Sequence, residues 1–352
     1  MSRPVLFVTN HAPPFRVGAF AKLHEREDVV FALIGGDVRH GGGAGEEQNL
    51  PFPVIRPRQQ DVARLAGDYR AVIAGLSGRV APLAAYLGAR RARVPFVLWA
   101  SLWAHPQTLP HAASYLPVRH LYRHADAIVT YGPHVSAYVR SKGATQTVVE
   151  APQSVDNGYW NGPTTPIRRA AFQAAFVGRI AGEKGLQVLI QAWTFSGLSA
   201  LSAALVLVGG GPIRARAVAT GAVLSEGQRS PAEVRNFYAG SDVVVVPSVP
   251  TRDFREPWGL VVNEAFNQGV PVIASDAVGA VAGGLVRHER TGLVVPAGDV
   301  PALASALRRM YDDPALRARL GAAGREAVGA YTHDAWAAGV SSALAAVGQS
   351  RC

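Results

Sequence analysis

Cysteine is all but missing. The one residue, Cys352, ends the 352-residue chain, which excludes an internal disulfide frame and a cysteine-ligated metal centre. Lysine is nearly as scarce: Lys22, Lys142 and Lys184 leave 32 arginines among 35 basic side chains. No apolar run approaches the ~18 residues of a membrane span. The opening MSRPVLFVTNHAPPF has apolar residues in a row only at 5–8, too few for a signal-peptide core. Short-period repeats are also lacking. From these absences a cytoplasmic protein is expected.

What the chain has is apolar content of 49% with 17% charged residues, the balance of a globular protein. Its length exceeds what one core usually supports, so two domains are expected. The net charge is +10, of which residues 1–165 carry +6 and the remainder +4. Two readings of the arginine excess stay open. One is a GC-rich genome. The other is a surface that attracts phosphates, nucleic acid or an anionic membrane, with peripheral docking at the inner membrane face as its cellular form.

Short apolar runs alternate with helical stretches. PVLFVT (4–9), VVFALI (29–34), AVIAGL (71–76), PFVLWA (95–100) and DAIVTY (126–131) read as strands buried on both faces. Helix-like segments at 18–27, 78–91 and 133–142 lie between them. A second series follows, AAFVG (174–178), ALVLVG (204–209), DVVVVP (242–247), PVIAS (271–275) and GLVVP (292–296), with helices at 185–193, 231–239, 260–268 and 300–311. The alternation predicts α/β architecture: two Rossmann-like doubly wound domains facing across a cleft. The Gly-, Pro- and Asn-rich DNGYWNGPTTPIRR (156–169) reads as the linker. Expected domains are 1–163, 164–332 and a final segment, 333–352, whose helix returns to the first domain.

Ligands of such sheets sit beyond the carboxyl ends of strands, and four motifs fall there. In EPWGLVVNEA (256–265), Pro257 suits a first helical turn, so the amides of Trp258, Gly259 and Leu260 would form an anion site. Glu256 and Glu264 would then lie about 12 Å apart at helical rise, the span of a nucleotide sugar. Carboxylates hold sugar and ribose hydroxyls well; a lone Glu264 in apolar LVVNEAF would be costly. In FVGRIAGEKGL, Arg179 and Lys184 leave a strand end, where two cations would neutralise a diphosphate and stabilise it as a leaving group. The bland alternative pairs Lys184 with Glu183. Gly209, Gly210 and Gly211 in LVLVGGGP read more simply as a tight turn than as a phosphate loop. In VTNHAPPFRVGAF, Gly18 opens a helix and permits close approach of a phosphate.

His105, after PFVLWA, could orient an acceptor, with Trp99 and Trp103 as stacking surfaces; a structural histidine is the plain alternative. His120 and His124 have metal-ligand spacing on a helix but no third ligand, and Asp312–Asp313 reads as an inter-helix turn. No metal is expected.

With these residues in hand, the sequence resembles the retaining glycosyltransferases of family 4, which have the GT-B architecture. FVGRIAGEKGLQVLIQA, LVLVGGGP, SDVVVVPS, EPWGLVVNEAFNQGVPVIAS, RTGLVVPAGDVPALASAL and YDDPALRARLGAAGR occur in family order over roughly 174–336. The first half is similar more loosely, through Gly18, His105, DAIVTYGPHV and APQSVDNGYW. The resemblance implies that Arg179 and Lys184 bind the donor diphosphate, Glu256 the transferred sugar and Glu264 the ribose, with the amides of Trp258, Gly259 and Leu260 at the phosphates and with Gly18 (on the donor) and His105 contributing from the acceptor domain. It implies a metal-independent hexosyl transfer from a UDP- or GDP-sugar to a glycan, lipid-linked or small-molecule hydroxyl, with no cofactor. This sequence departs from the family in having one glycine at Val17-Gly18 where two are common. SDAVGAVAGGLV lacks the usual glutamate, and Trp258 stands for the commoner phenylalanine. Two other classes compete: a GT-B-fold nucleotide-sugar epimerase, and a non-catalytic phosphate- or nucleic-acid-binding protein. The second leaves both glutamates unexplained, so no nucleic-acid partner is expected.

Overall fold

The computed structural model describes residues 3–35, 49–76, 78, 80–213 and 221–349; Cys352 and the end of the segment 333–352 lie outside them. The chain divides into two compact units, Met1–Asp156 with Thr332–Cys352, and Asn157–Tyr331. The passage from the first to the second falls inside the Gly/Pro-rich stretch at 156–169.

The first unit contains β1 (Val5–Thr9), β2 (Val29–Leu33), β3 (Val54–Ile55), β4 (Ala71–Gly75), β5 (Phe96–Ala100), β6 (Ala127–Thr130) and β7 (Thr147–Glu150). They form one sheet in the order β3-β2-β1-β4-β5-β6-β7, with every pairing parallel. β1, β4, β5 and β6 are buried along their whole length, as unbroken apolar runs require in a sheet covered on both faces. β3 and β7 escape a reading of apolar runs because one is two residues long and the other, TVVE, is a half-exposed edge.

One face of this sheet is closed by helices Pro14–Glu27 and His333–Gln349. Trp336 is fully buried there, its ring 5.7 Å from Phe20, 5.9 Å from Trp99 and 6.4 Å from Phe7. That aromatic cluster makes the last helix an element of the first unit. The other face is closed by helices Ala81–Ala92, Leu109–His124 and Pro133–Ser141.

The second unit contains β8 (Phe172–Val177), β9 (Ala203–Val208), β10 (Val223–Gly227), β11 (Val243–Val246), β12 (Val272–Ser275) and β13 (Gly292–Val295) in the order β10-β9-β8-β11-β12-β13. All pairings are parallel. Its larger core packs helices Leu186–Phe195, Val300–Asp312 and Pro314–Val328 on the sheet around Trp193, Leu307 and Met310. The turn at Asp312 and Asp313 is built by Asp313, which caps the next helix through the amide of Leu316 at 2.8 Å. Each sheet reverses its strand order once, between β1 and β4 and between β8 and β11. A doubly wound sheet opens a crevice at such a point, beyond the carboxyl ends of its strands.

Candidate active site

The loops that leave β8 and β11, on either side of the second reversal, carry the charged residues the sequence singled out. After β8 the chain runs through Gly178 and Arg179 into a single 3-10 turn, Gly182–Lys184, and then through Gly185 into helix Leu186–Phe195. The cations are not bare. Arg179 donates to Glu183 and Lys184 donates to Glu256, so the simple pairing of Lys184 with its neighbour Glu183 does not occur. Phe254 lies under the ammonium, with the ring centroid 5.3 Å from Nζ.

From β11 the chain passes Pro247 to Ser248. The Ser248 hydroxyl donates to Glu256 Oε2 at 3.3 Å. The Val249 amide donates to the Glu183 carbonyl at 3.0 Å, tying the two loops together. Gly185, at φ 72°, lets them meet: a Cβ there would lie 1.9 Å from the Pro247 carbonyl oxygen. Glu256 is thus 7% exposed, between an ammonium and a hydroxyl.

The three glycines after β9 prove not to be a tight turn. Gly210 accepts from the Ile180 amide at 2.8 Å and Ile180 from the Ile213 amide at 3.1 Å. A Cβ at Gly209 would lie 1.9 Å from the Gly178 oxygen, and one at Gly211 2.4 Å from the Ile180 oxygen. The run is smooth so that it can press against the loop that carries Arg179.

EPWGLVVNEA is folded differently from the helix expected at Pro257. Glu256 makes a parallel bridge to Val278, Gly259 has φ 92°, and the helix is only Val261–Asn267. The cause is packing against the segment after β12. The Gly279 amide donates to the Glu256 carbonyl at 3.1 Å and the Ala280 amide to the Trp258 carbonyl at 2.7 Å. Helical rise therefore does not set the separation of the two glutamates. Trp258 is 3% exposed, and its indole N–H donates to Asn263 Oδ1 at 2.8 Å. A Cβ at Gly283 would lie 2.3 Å from the indole, so that glycine accommodates the larger ring. The amides of Trp258, Gly259 and Leu260 precede the helix in an extended-to-turn segment whose carbonyls from Gly259 and Leu260 accept its first bonds, from Val262 and Glu264.

Glu264 accepts from the Tyr238 hydroxyl at 2.7 Å. Burial raises its carboxyl to about 7, outweighing that hydrogen bond, which acts to lower it. Burial first, and then the Glu264 charge, raises the Tyr238 phenol well above its ordinary value. The folded chain therefore holds the Glu264 proton at pH values where the unfolded chain, with an ordinary value of 4.5, has released it. Stability from this group is fully present below the unfolded value and is lost as pH rises through the folded one. Glu264→Gln is expected to remove that part of the slope between these two values, measured by urea unfolding across the range; an unchanged slope would show the carboxyl ionising normally.

In the first unit, helix Pro14–Glu27 begins four residues before Gly18, so Gly18 sits in its second turn and does not open it. The space a Cβ would take there is filled by the His333 ring, 2.5 Å away. His105 lies beyond the end of β5; its Nε2 is 2.6 Å from the His111 carbonyl and its ring 5.0 Å from that of Tyr115. Trp99 is no stacking surface for a ligand: it is buried in the core against Phe7, Tyr131 and Trp336. Trp103 packs edge-on to His134 at 4.9 Å. The His120 and His124 rings lie 4.3 Å apart on one helix, tilted by 40°. Among the described residues no group of three or more His, Cys, Asp or Glu comes together to hold a metal.

Three residues that complete this arrangement were not singled out from the sequence, and a fourth, Glu183, was named only as a partner for Lys184. Ser248 lay in the quoted SDVVVVPS, at a strand end. Glu183 lay beside Lys184. Phe254 and Tyr238 carry no pattern that links them to Lys184 and Glu264.

Two parallel α/β units with charged loops at the strand-order reversal of the second define a GT-B protein. A crystal structure of Anabaena Alr3699/HepE in complex with UDP and glucose matches the chain with a TM-score of 0.76 at 18% identity, over 97% of this chain and 99% of that one. Residues 171–313 match the family of glycosyl transferases group 1. The lipopolysaccharide core biosynthesis glycosyltransferase LpsD of Rhizobium meliloti is 32% identical over 217 residues, 58% of this chain and 59% of that protein. A GDP-mannose-dependent alpha-mannosyltransferase of Mycobacterium tuberculosis is 32% identical over 233 residues, 60% and 56%. The chain thus spans little more than half the length of these curated relatives.

Proposed function

We propose that the protein is a retaining glycosyltransferase that moves a hexose-type sugar from a nucleotide diphosphate sugar to an acceptor hydroxyl. The observation that carries this is the joined pair of loops after β8 and β11. They hold Arg179, Lys184 and Glu256 together at the reversal of the sheet. The group 1 match of residues 171–313 and the named activities of both relatives point the same way.

In this reading Arg179 exchanges Glu183 for the diphosphate, since a guanidinium matches phosphate in a bidentate fashion. Lys184 meets the same group while it steadies Glu256, whose carboxylate accepts hydroxyls of the sugar. Glu264 holds the ribose, and the amides of Trp258, Gly259 and Leu260 face the phosphates. His105 orients the acceptor. The acceptor oxygen bonds to the anomeric carbon on the side from which the diphosphate departs, and its proton passes to a leaving-group oxygen. The cations stabilise the charge that grows there, a task that calls for no metal. Donors of UDP and GDP type are both candidates, given the UDP in the Anabaena complex and the GDP-mannose dependence of the mycobacterial relative.

The test is a thermal-shift screen of UDP-, GDP- and ADP-sugars, followed by product analysis. A donor present at 100 times its Kd should stabilise the chain by about 2.7 kcal/mol, and the same donor should lose its sugar slowly to water. A screen in which no nucleotide sugar raises the melting temperature would defeat the proposal, and conversion of the sugar to an isomer would replace transfer by epimerisation.

A further inference from the structure

From Tyr69 to Ala125 the chain contains no acidic residue, yet it has seven arginines, at 70, 79, 90, 91, 93, 119 and 123. The acid that ends this stretch, Asp126, is already neutralised: Arg90 donates to it at 3.0 Å and the Phe96 amide at 2.7 Å. Helices Ala81–Ala92 and Leu109–His124, both within the stretch, are joined by Tyr86 edge-on to His120 at 5.3 Å.

Helix Leu109–His124 buries Leu121 and Tyr122 against the sheet and turns an apolar row outward. Leu109 is 89% exposed and Leu116 69% exposed, with Ala112, Ala113 and Pro117 exposed between and beside them. These positions recur at the three- and four-residue spacing of one helical face. Large apolar side chains bared this fully are seldom left without a use when they form a row. On the adjoining helix Leu87 is 46% exposed, and Val80 just before it 51%. Exposed Arg91, Arg93, Arg123, His120 and His124 flank this surface.

We infer that the outer face of helix Leu109–His124, with the exposed end of helix Ala81–Ala92, is a docking surface for an anionic lipid bilayer. A helix lying in the interface sinks an apolar row to the acyl boundary while basic side chains meet the headgroups. Arginine suits this place because its stem lies along apolar surface while its head reaches the phosphate. The charge decides the occupant. A rim drawn from a stretch with seven arginines and no acid attracts an anionic surface, whereas a second copy would bring the same positive rim against itself. The inference does not depend on sugar transfer: it concerns a face of the first unit and is read by lipid binding alone.

The experiment is co-sedimentation of the full chain with vesicles of phosphatidylcholine alone or mixed with phosphatidylglycerol, at low and physiological salt. The chain should pellet with the mixed vesicles and weaken as salt rises. Leu109→Glu/Leu116→Glu should lower partition at least about tenfold. Arg91→Gln/Arg123→Gln should lower it by a similar factor and flatten its salt dependence. Unchanged melting temperatures would show the variants folded, and Leu116→Gln replaces the leucine pair if that pair melts early. Equal partition of wild type and leucine variant, no preference for phosphatidylglycerol, or a wild-type dimer that the leucine variant dissolves without any vesicle binding would each overturn the inference.

Discussion

Lys184→Ala is expected to reduce turnover at saturating nucleotide sugar by about two to three orders of magnitude, the loss seen when one oriented stabilising donor is removed from a developing oxyanion. In the proposed reading this residue has two tasks. Its ammonium would meet the leaving diphosphate, and it already holds Glu256 in place together with Ser248. Removing it takes the charged donor away from Glu256, which is 7% exposed. A carboxylate stripped of its charged partner in a low-dielectric site costs several kcal/mol, so the variant should also melt earlier. Lys184→Arg separates the tasks: it keeps the charge but not the compact ammonium that fits between Glu256 and the Phe254 ring. Turnover of Lys184→Ala within about threefold of wild type would remove the leaving-group role assigned by analogy with oxyanion stabilisation.

Gly185→Ala is expected to have the largest effect on the folded state. Its added carbon would lie 1.9 Å from the Pro247 carbonyl, at a residue whose φ of 72° already disfavours any side chain. The obstacle is backbone, which cannot swing aside as a long side chain can. The loops after β8 and β11 must part, and with them Lys184 and Glu256. A loss of about 3 kcal/mol or more is expected from strain and overpacking at such a site, read as a fall in the urea midpoint. Donor-induced thermal stabilisation should vanish with it. An alanine variant of unaltered midpoint would mean the loops do not pack as described.

The glycine run after β9 teaches the same lesson from the other direction. Three successive glycines are legible in any sequence as a place without side chains. Whether that place makes a turn, cradles a phosphate or lets one backbone press upon another depends on what lies opposite. Here it is Gly178 and Ile180, some thirty residues earlier in the chain. Trp258 is similar. Its position in EPWGLVVNEA marks it as part of the motif, but its indole is spent on Asn263 and on the gap left by Gly283.

The covalent chain by itself determined the two α/β units, because continuous apolar strands such as VLFVT and VVVV can be satisfied only inside a covered parallel sheet. It also placed Arg179 and Lys184 in the loop after a strand and Glu264 inside a helix, since strand and helix periods are local properties of the residues. Short or half-polar edges such as β3, β7 and β10 lay beyond that reach, as their stability comes from the neighbour they pair with. Only the tertiary structure decided the partners: Arg179 with Glu183, Lys184 with Glu256, Tyr238 with Glu264, and Gly18 with His333. Each joins groups whose meeting depends on three-dimensional packing, and no periodicity along a chain encodes which charge will find which.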